Sequence, residues 1–242
     1  MLKVIFALIV LGGAVCLAQT ADRLEVGRFS VEAEGSAPPN GWDPLTFKKV
    51  ERHTTYQLVK DGATVVVKAI SEAAASGLIK KVTIDPQEYP IVRWRWKIEN
   101  LLQKSNVNRK EGDDYPARLY ITFAYEPDKV GWGKKLKYKA GQALFGDIPI
   151  GALNYLWDGK SPVGTIVDNA FTDFAKMIVV ESGAELIGSW VEEERNVYQD
   201  YRLAFREEPP AINGVAIMSD TDNTKERVVA YYGDIMFLRA SR

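Results

Sequence analysis

Short runs in which apolar and polar side chains alternate with period two recur from Glu25 onward, separated by clusters of Gly, Pro, Asn and Asp. Successive side chains of a strand point to opposite faces, so this alternation predicts strands with one dry and one wet face. The clearest are residues 54–60, 63–71, 77–84, 91–99, 117–125, 176–182, 211–219 and 228–238. Between the first two, Lys60, Asp61 and Gly62 predict a tight hairpin, because Asp-Gly tolerates positive φ. Two stretches change period: residues 132–147 place Leu136, Ala140, Ala143 and Leu144 at helical spacing, and residues 196–205 place Val197, Tyr201 and Phe205 four apart. Each predicts a short helix. With no repeat, linker or βαβ alternation, residues 22–242 are expected to form one domain. Its expected class is mainly β: an antiparallel β-sandwich of jelly-roll type with one or two short helices.

The first 21 residues follow a different logic. Lys3 precedes an apolar run, Val4 to Val15, and small residues follow at Ala18 and Ala21, the layout of a secretory signal peptide. Cleavage there would remove the only cysteine, Cys16, and leave a periplasmic or secreted chain without disulfides or a transmembrane segment. Lipidation of Cys16 is disfavoured because Val15 stands where a small residue is needed.

Composition narrows the chemistry. At 46% hydrophobic residues the chain can bury a sizeable core. Lys plus Arg (31) nearly balance Asp plus Glu (32), so no global field draws it onto nucleic acid. One histidine, His53, and one cysteine exclude clustered Cys/His zinc sites, and the polar surroundings of His53 place it on the surface or at a strand edge.

Carboxylates, arginines and aromatics remain. Alternation along residues 92–98 sends Val92, Trp94, Trp96 and Ile98 to the core and Arg93, Arg95 and Lys97 outward; along 118–123 it buries Leu119, Ile121 and Phe123 and turns out Arg118, Tyr120 and Thr122. If these strands pair, Arg93, Arg95, Lys97, Arg118 and Tyr120 share a face suited to a carboxylated or sulfated glycan. The competing reading pairs the same arginines with glutamates. Trp157, beside a turn signal, is a candidate sugar platform at the sandwich rim or a core residue.

Asp220, Asp222 and Asn223 offer oxygens at a spacing that suits calcium, the only cofactor suggested, although ordinary Asx turns use the same residues. An EF-hand is excluded, because Lys225 and Tyr231 fall where its glycine and bidentate glutamate belong. Glu192 and Glu194 would share a strand face about 7 Å apart, and with the Asp113 and Asp114 pair they carry the alternative of a polysaccharide-cleaving enzyme. Lys134, Lys135, Lys137 and Lys139 form a basic cluster that raises a third option, an envelope assembly or interaction protein.

Several segments together resemble one bacterial family: Trp94-Arg95-Trp96-Lys97, Glu111-Gly112-Asp113-Asp114, Asn154-Tyr155 with Trp157, Trp190 through Asp200-Tyr201, Asp220 to Thr224, and Tyr232-Gly233-Asp234-Ile235. They are similar to the family named domain of unknown function 3047, from about Phe29 to Leu238. That resemblance implies an exported protein and assigns no catalytic residue. More loosely, the closing strand is similar to the last strand of galactose-binding-like and carbohydrate-binding jelly rolls. The resulting expectation is an exported, non-catalytic protein that binds an anionic glycan or another envelope component.

Overall fold

In the computed structural model, the described residues are 22–35, 38–124 and 151–240. The expected signal peptide, the helix over 132–147 and the lysines at 134, 135, 137 and 139 lie outside them. The described residues form thirteen strands: β1 (Arg23–Gly27), β2 (Asp43–Leu45), β3 (Thr55–Asp61), β4 (Thr64–Glu72), β5 (Ala75–Ile84), β6 (Ile91–Ile98), β7 (Ala117–Phe123), β8 (Ala152–Asp158), β9 (Ile166–Asn169), β10 (Thr172–Ser182), β11 (Val191–Asn196), β12 (Ile212–Asp220) and β13 (Arg227–Leu238). Among the described residues there is one α-helix, α1 (Val197–Phe205), which separates β11 from β12. Among the described residues no helix is long and apolar enough to cross a membrane.

The strands form two packed sheets. The first runs β11-β6-β13-β4-β3, with β1 also paired to β13; the second runs β2-β5-β12-β7-β8-β10-β9. All eight sequence-predicted strands are present to within a few residues, and the hairpin joins β3 to β4 with Gly62 at φ +66°. Pairing is antiparallel except for β8 with β10, which run parallel because β9 intervenes in the chain and pairs antiparallel to the outer edge of β10. The architecture is therefore the mainly β sandwich that the alternation implies.

The core lies between the sheets. Trp94 and Trp96 of β6 point inward as their alternation requires, Trp94 stacking on Tyr155 at 5.3 Å and Trp96 meeting Trp157 at 6.2 Å. Leu119, Ile121 and Phe123 of β7 complete the layer. Helix α1 starts because the Asn196 side chain accepts the Gln199 N–H at 2.9 Å, and ends where Arg206 turns left-handed at φ 59°. It lays Tyr201 against Phe123 at 4.5 Å.

The outer face of the second sheet is also covered. The segment 99–116 folds over β7 and β8, and Val107 and Tyr115 bury Leu156, Met177 and Val179 in a small separate core. As a result β7 and β8 are buried on both faces. This layer decides the fate of Arg118.

Candidate functional site

The two arginine-bearing strands do not pair. Strand β6 lies between β11 and β13 in the first sheet, whereas β7 lies between β12 and β8 in the second. Alternation set each strand's inward face correctly, and the outward faces then point away from opposite sides of the sandwich. The expected joint surface of Arg93, Arg95, Arg118 and Tyr120 is accordingly replaced by two sites.

The more open site is on the outer face of the first sheet, where Arg93 is exposed, Arg95, Lys97 and Trp190 are half-buried, and Tyr231 is buried beside Val66 and Val229. Arg93, Arg95 and Lys97 project from β6, and the adjacent β11 brings Glu194 opposite Arg93 and Glu192 opposite Arg95. Arg93 pairs with Glu194 at 2.5 Å, as the competing ion-pair reading requires. Arg95 behaves differently: its guanidinium lies 4.6 Å from the ring centre of Trp190, and among the described residues it makes no ion pair. Its stem crosses the backbone of β13 at Gly233, where a Cβ would stand 2.5 Å from Arg95 Cγ. Glycine is thus required for this close approach.

Lys97 completes the platform. Its ammonium sits 4.4 Å from the Tyr231 ring and donates to Asp61 Oδ2 at 2.5 Å, while the Trp190 indole N–H donates to the same oxygen at 2.6 Å. The hydrogen bond from Lys97 is the main reason the Asp61 carboxyl is held below its ordinary range. Tyr231 is fixed from the other side by donating to Glu99 Oε1 at 2.5 Å. Trp190 and Tyr231 were not singled out as ligand contacts in the sequence. Their placement follows from the β11–β6 register, which the sequence does not display: it pairs Val191 with Trp96 and so sets Trp190 beside Lys97.

The second site is buried. Arg118 is 2% exposed rather than outward-facing, because the 99–116 segment covers its sheet face. Its Nε donates to Asp220 Oδ1 at 2.8 Å, Nη1 to the Tyr120 hydroxyl at 2.9 Å, and Nη2 to the Asp113 carbonyl at 2.6 Å and to Asp220 Oδ2. The guanidinium also lies over the Tyr115 ring at 4.4 Å. Burial alone would lower the Arg118 pKa, but Asp220, Tyr120 and Asp113 outweigh it and hold the group well above its ordinary value. Tyr120 is pushed up to about 12 by burial. Arg118 is thus buried and Tyr120 only half-buried, and the two do not share a face with Arg93 and Arg95.

The candidate carboxylates divide in the same way. Asp114 is fully buried and accepts the Asn223 N–H at 3.3 Å, the Asn223 side-chain amide at 3.1 Å and the Thr224 N–H at 2.5 Å. Asp113 is buried and accepts from Asn169 at 2.7 Å, with its pKa raised by burial against the pull of Arg118. Both are buried and hydrogen-bonded within the protein. Glu192 and Glu194 do share an outer face. Between them Glu193 faces inward, and burial followed by repulsion from Glu181 pushes its carboxyl up to about 7.

Trp157 is 0% exposed and donates its indole N–H to the Gly183 carbonyl at 3.1 Å, so it is a core residue and not a rim platform. Asp220, Asp222 and Asn223 are gathered at the end of β12, but the third carboxylate beside the two aspartates is Asp114, not the Asn223 amide. His53 is exposed just before β3, as its surroundings suggest.

Among solved structures, the chain is similar to the family 11 carbohydrate-binding module of the cellulosomal cellulase Lic26A-Cel5E of Clostridium thermocellum, with 10% identity, TM-score 0.45, and 89% of this chain and 95% of that one covered. It is also similar to the carbohydrate recognition domain of Emp47p, with 10% identity, TM-score 0.44, and 90% and 95% covered. A third is the family 30 carbohydrate-binding module of the Clostridium thermocellum cellulase Cel9D-Cel44B, with 9% identity, TM-score 0.38, and 91% and 99% covered. No curated protein matches the sequence. Residues 40–236 match the profile described as "Protein of unknown function (DUF3047)", so the chain belongs to the DUF3047 family.

Proposed function

We propose that the protein is an exported, glycan-binding β-sandwich whose ligand carries carboxylate or sulfate groups and docks on the outer face of the first sheet. The observation that carries this reading is Arg95: a guanidinium stacked on Trp190, seated over Gly233, and without an ion-pair partner among the described residues. A guanidinium held flat in this way loses little conformational freedom on gripping an oxyanion, and its planar fork matches a carboxylate or sulfate bidentately. Lys97, paired with Asp61, and the buried Tyr231 ring support this surface from beneath. Arg118, whose three guanidinium nitrogens all donate within the protein, is assigned to the framework instead.

Arrays of acidic and neutral glycans probed with the purified chain test the reading. Saturable binding to acidic polymers, lost in Arg95→Ala and retained in Arg93→Ala, is the expected result. Binding to neutral glycans alone, or undiminished binding by Arg95→Ala, would overturn it.

A further inference from the structure

Four carboxylates, those of Asp113, Asp114, Asp220 and Asp222, converge where the 99–116 segment meets the turn after β12, and Asp114, Asp220 and Asp222 each bring one oxygen within 4.8 Å of the other two. Arg118 is the one cation paired with this group among the described residues, through Asp220 and, at 3.6 Å, Asp113. One guanidinium leaves most of the buried negative charge uncompensated, which is costly unless protons or a cation neutralise it. Asp222 is half-buried and makes no ion pair among the described residues, so the group is open on its side.

Thr224 supplies an independent observation. It is 3% exposed, its backbone N–H meets Asp114 Oδ2 at 2.5 Å, and the buried Oγ1 of the same residue has no hydrogen-bond partner. A buried hydroxyl with its lone pairs unengaged is an oxygen ligand without a ligand partner. Asn223, by contrast, directs its amide N–H to Asp114 and so positions that carboxylate.

We propose that Asp114, Asp220, Asp222 and the Thr224 hydroxyl form a divalent-cation site, and that its ion is calcium. All four groups offer hard oxygen ligands, with no nitrogen or sulfur, which suits calcium rather than zinc. Irregularly placed loop ligands also suit calcium's tolerant coordination better than magnesium's strict octahedron. The site does not depend on the Arg95 face, and either can stand without the other.

The test uses the full chain, freed of metal by a chelator, followed by thermal melting and calorimetric titration with calcium chloride. A calcium concentration about 100-fold above the dissociation constant is expected to raise the melting temperature by about 5 °C or more. Asp222→Asn keeps the side-chain shape, and is expected to melt no lower than the metal-free parent while losing the calcium shift. Thr224→Val is expected to weaken calcium binding. No heat and no shift up to millimolar calcium in the unsubstituted chain would overturn the proposal, as would an undiminished shift in Asp222→Asn.

Discussion

Arg118 and Glu193 show how strongly surroundings reassign a charged side chain. Arg118 is held by Asp220, Asp113 and Tyr120 inside the covered face of the second sheet. Removing one partner of a buried pair strands the other charge, so Arg118→Ala is expected to cost about 3–5 kcal/mol in a urea or thermal melt. Arg118→Lys should recover little of that, since an ammonium cannot reproduce the planar fork. Glu193 makes a prediction of opposite character. Its folded pKa of about 7 lies above the ordinary 4.5, so the folded state prefers the protonated carboxyl. Its stabilising effect is fully present below about pH 4.5 and is lost as the pH rises through 7, a loss on the order of 2–3 kcal/mol. Melting temperature measured from pH 5 to pH 8 should therefore fall more in the parent than in Glu193→Gln, and parallel curves would refute the assignment.

At the scale of elements, strands with one wet face were legible, and of the two strands buried on both faces β7 was legible and β8 was not. The alternation of β6 located both tryptophans in the core, as observed. Strand β8 reads Ala-Leu-Asn-Tyr-Leu-Trp-Asp and is buried at every position, so it shows no period-two signal and its Trp157 was left open between rim and core. Strand β11 carries Glu-Glu-Glu-Arg and resembles a solvated charge run, although β6 pairs with it along its length. Pattern also cannot say which strands are neighbours, and this is why Arg93 and Arg118 were expected on one face. Local chemistry was more readable: the four-residue spacing placed α1, and Asn196→Ala is expected to cost about 1 kcal/mol by removing its N-cap. Gly233 is an element-level feature with a functional readout. Gly233→Ala must displace Arg95, so it should abolish acidic-glycan binding together with Arg95→Ala. A Gly233→Ala chain that folds and binds normally would show that the stacked arrangement is dispensable.

For the whole molecule, the two sites lie on opposite outer faces of one sandwich, with Arg93 exposed and Arg95, Lys97 and Trp190 half-buried on the first sheet, and mostly buried carboxylates over the second. The net charge of -1 conceals that separation. Binding through the exposed face should weaken as salt rises from about 0.05 to 0.5 M, because exposed charges are screened over roughly a Debye length, whereas binding of a cation in the buried group should respond far less. Sheet order carries a different kind of consequence. The last two strands are interior members of their sheets: β12 lies between β5 and β7, and β13 lies between β4 and β6 while also receiving β1 from the opposite end of the chain. Neither sheet can therefore close while the ribosome still holds residues 212–238. A chain cut ahead of residue 212 would leave β5 and β7 of one sheet, and β4 and β6 of the other, without the strand that joins them, so it is expected to reach neither folded sheet.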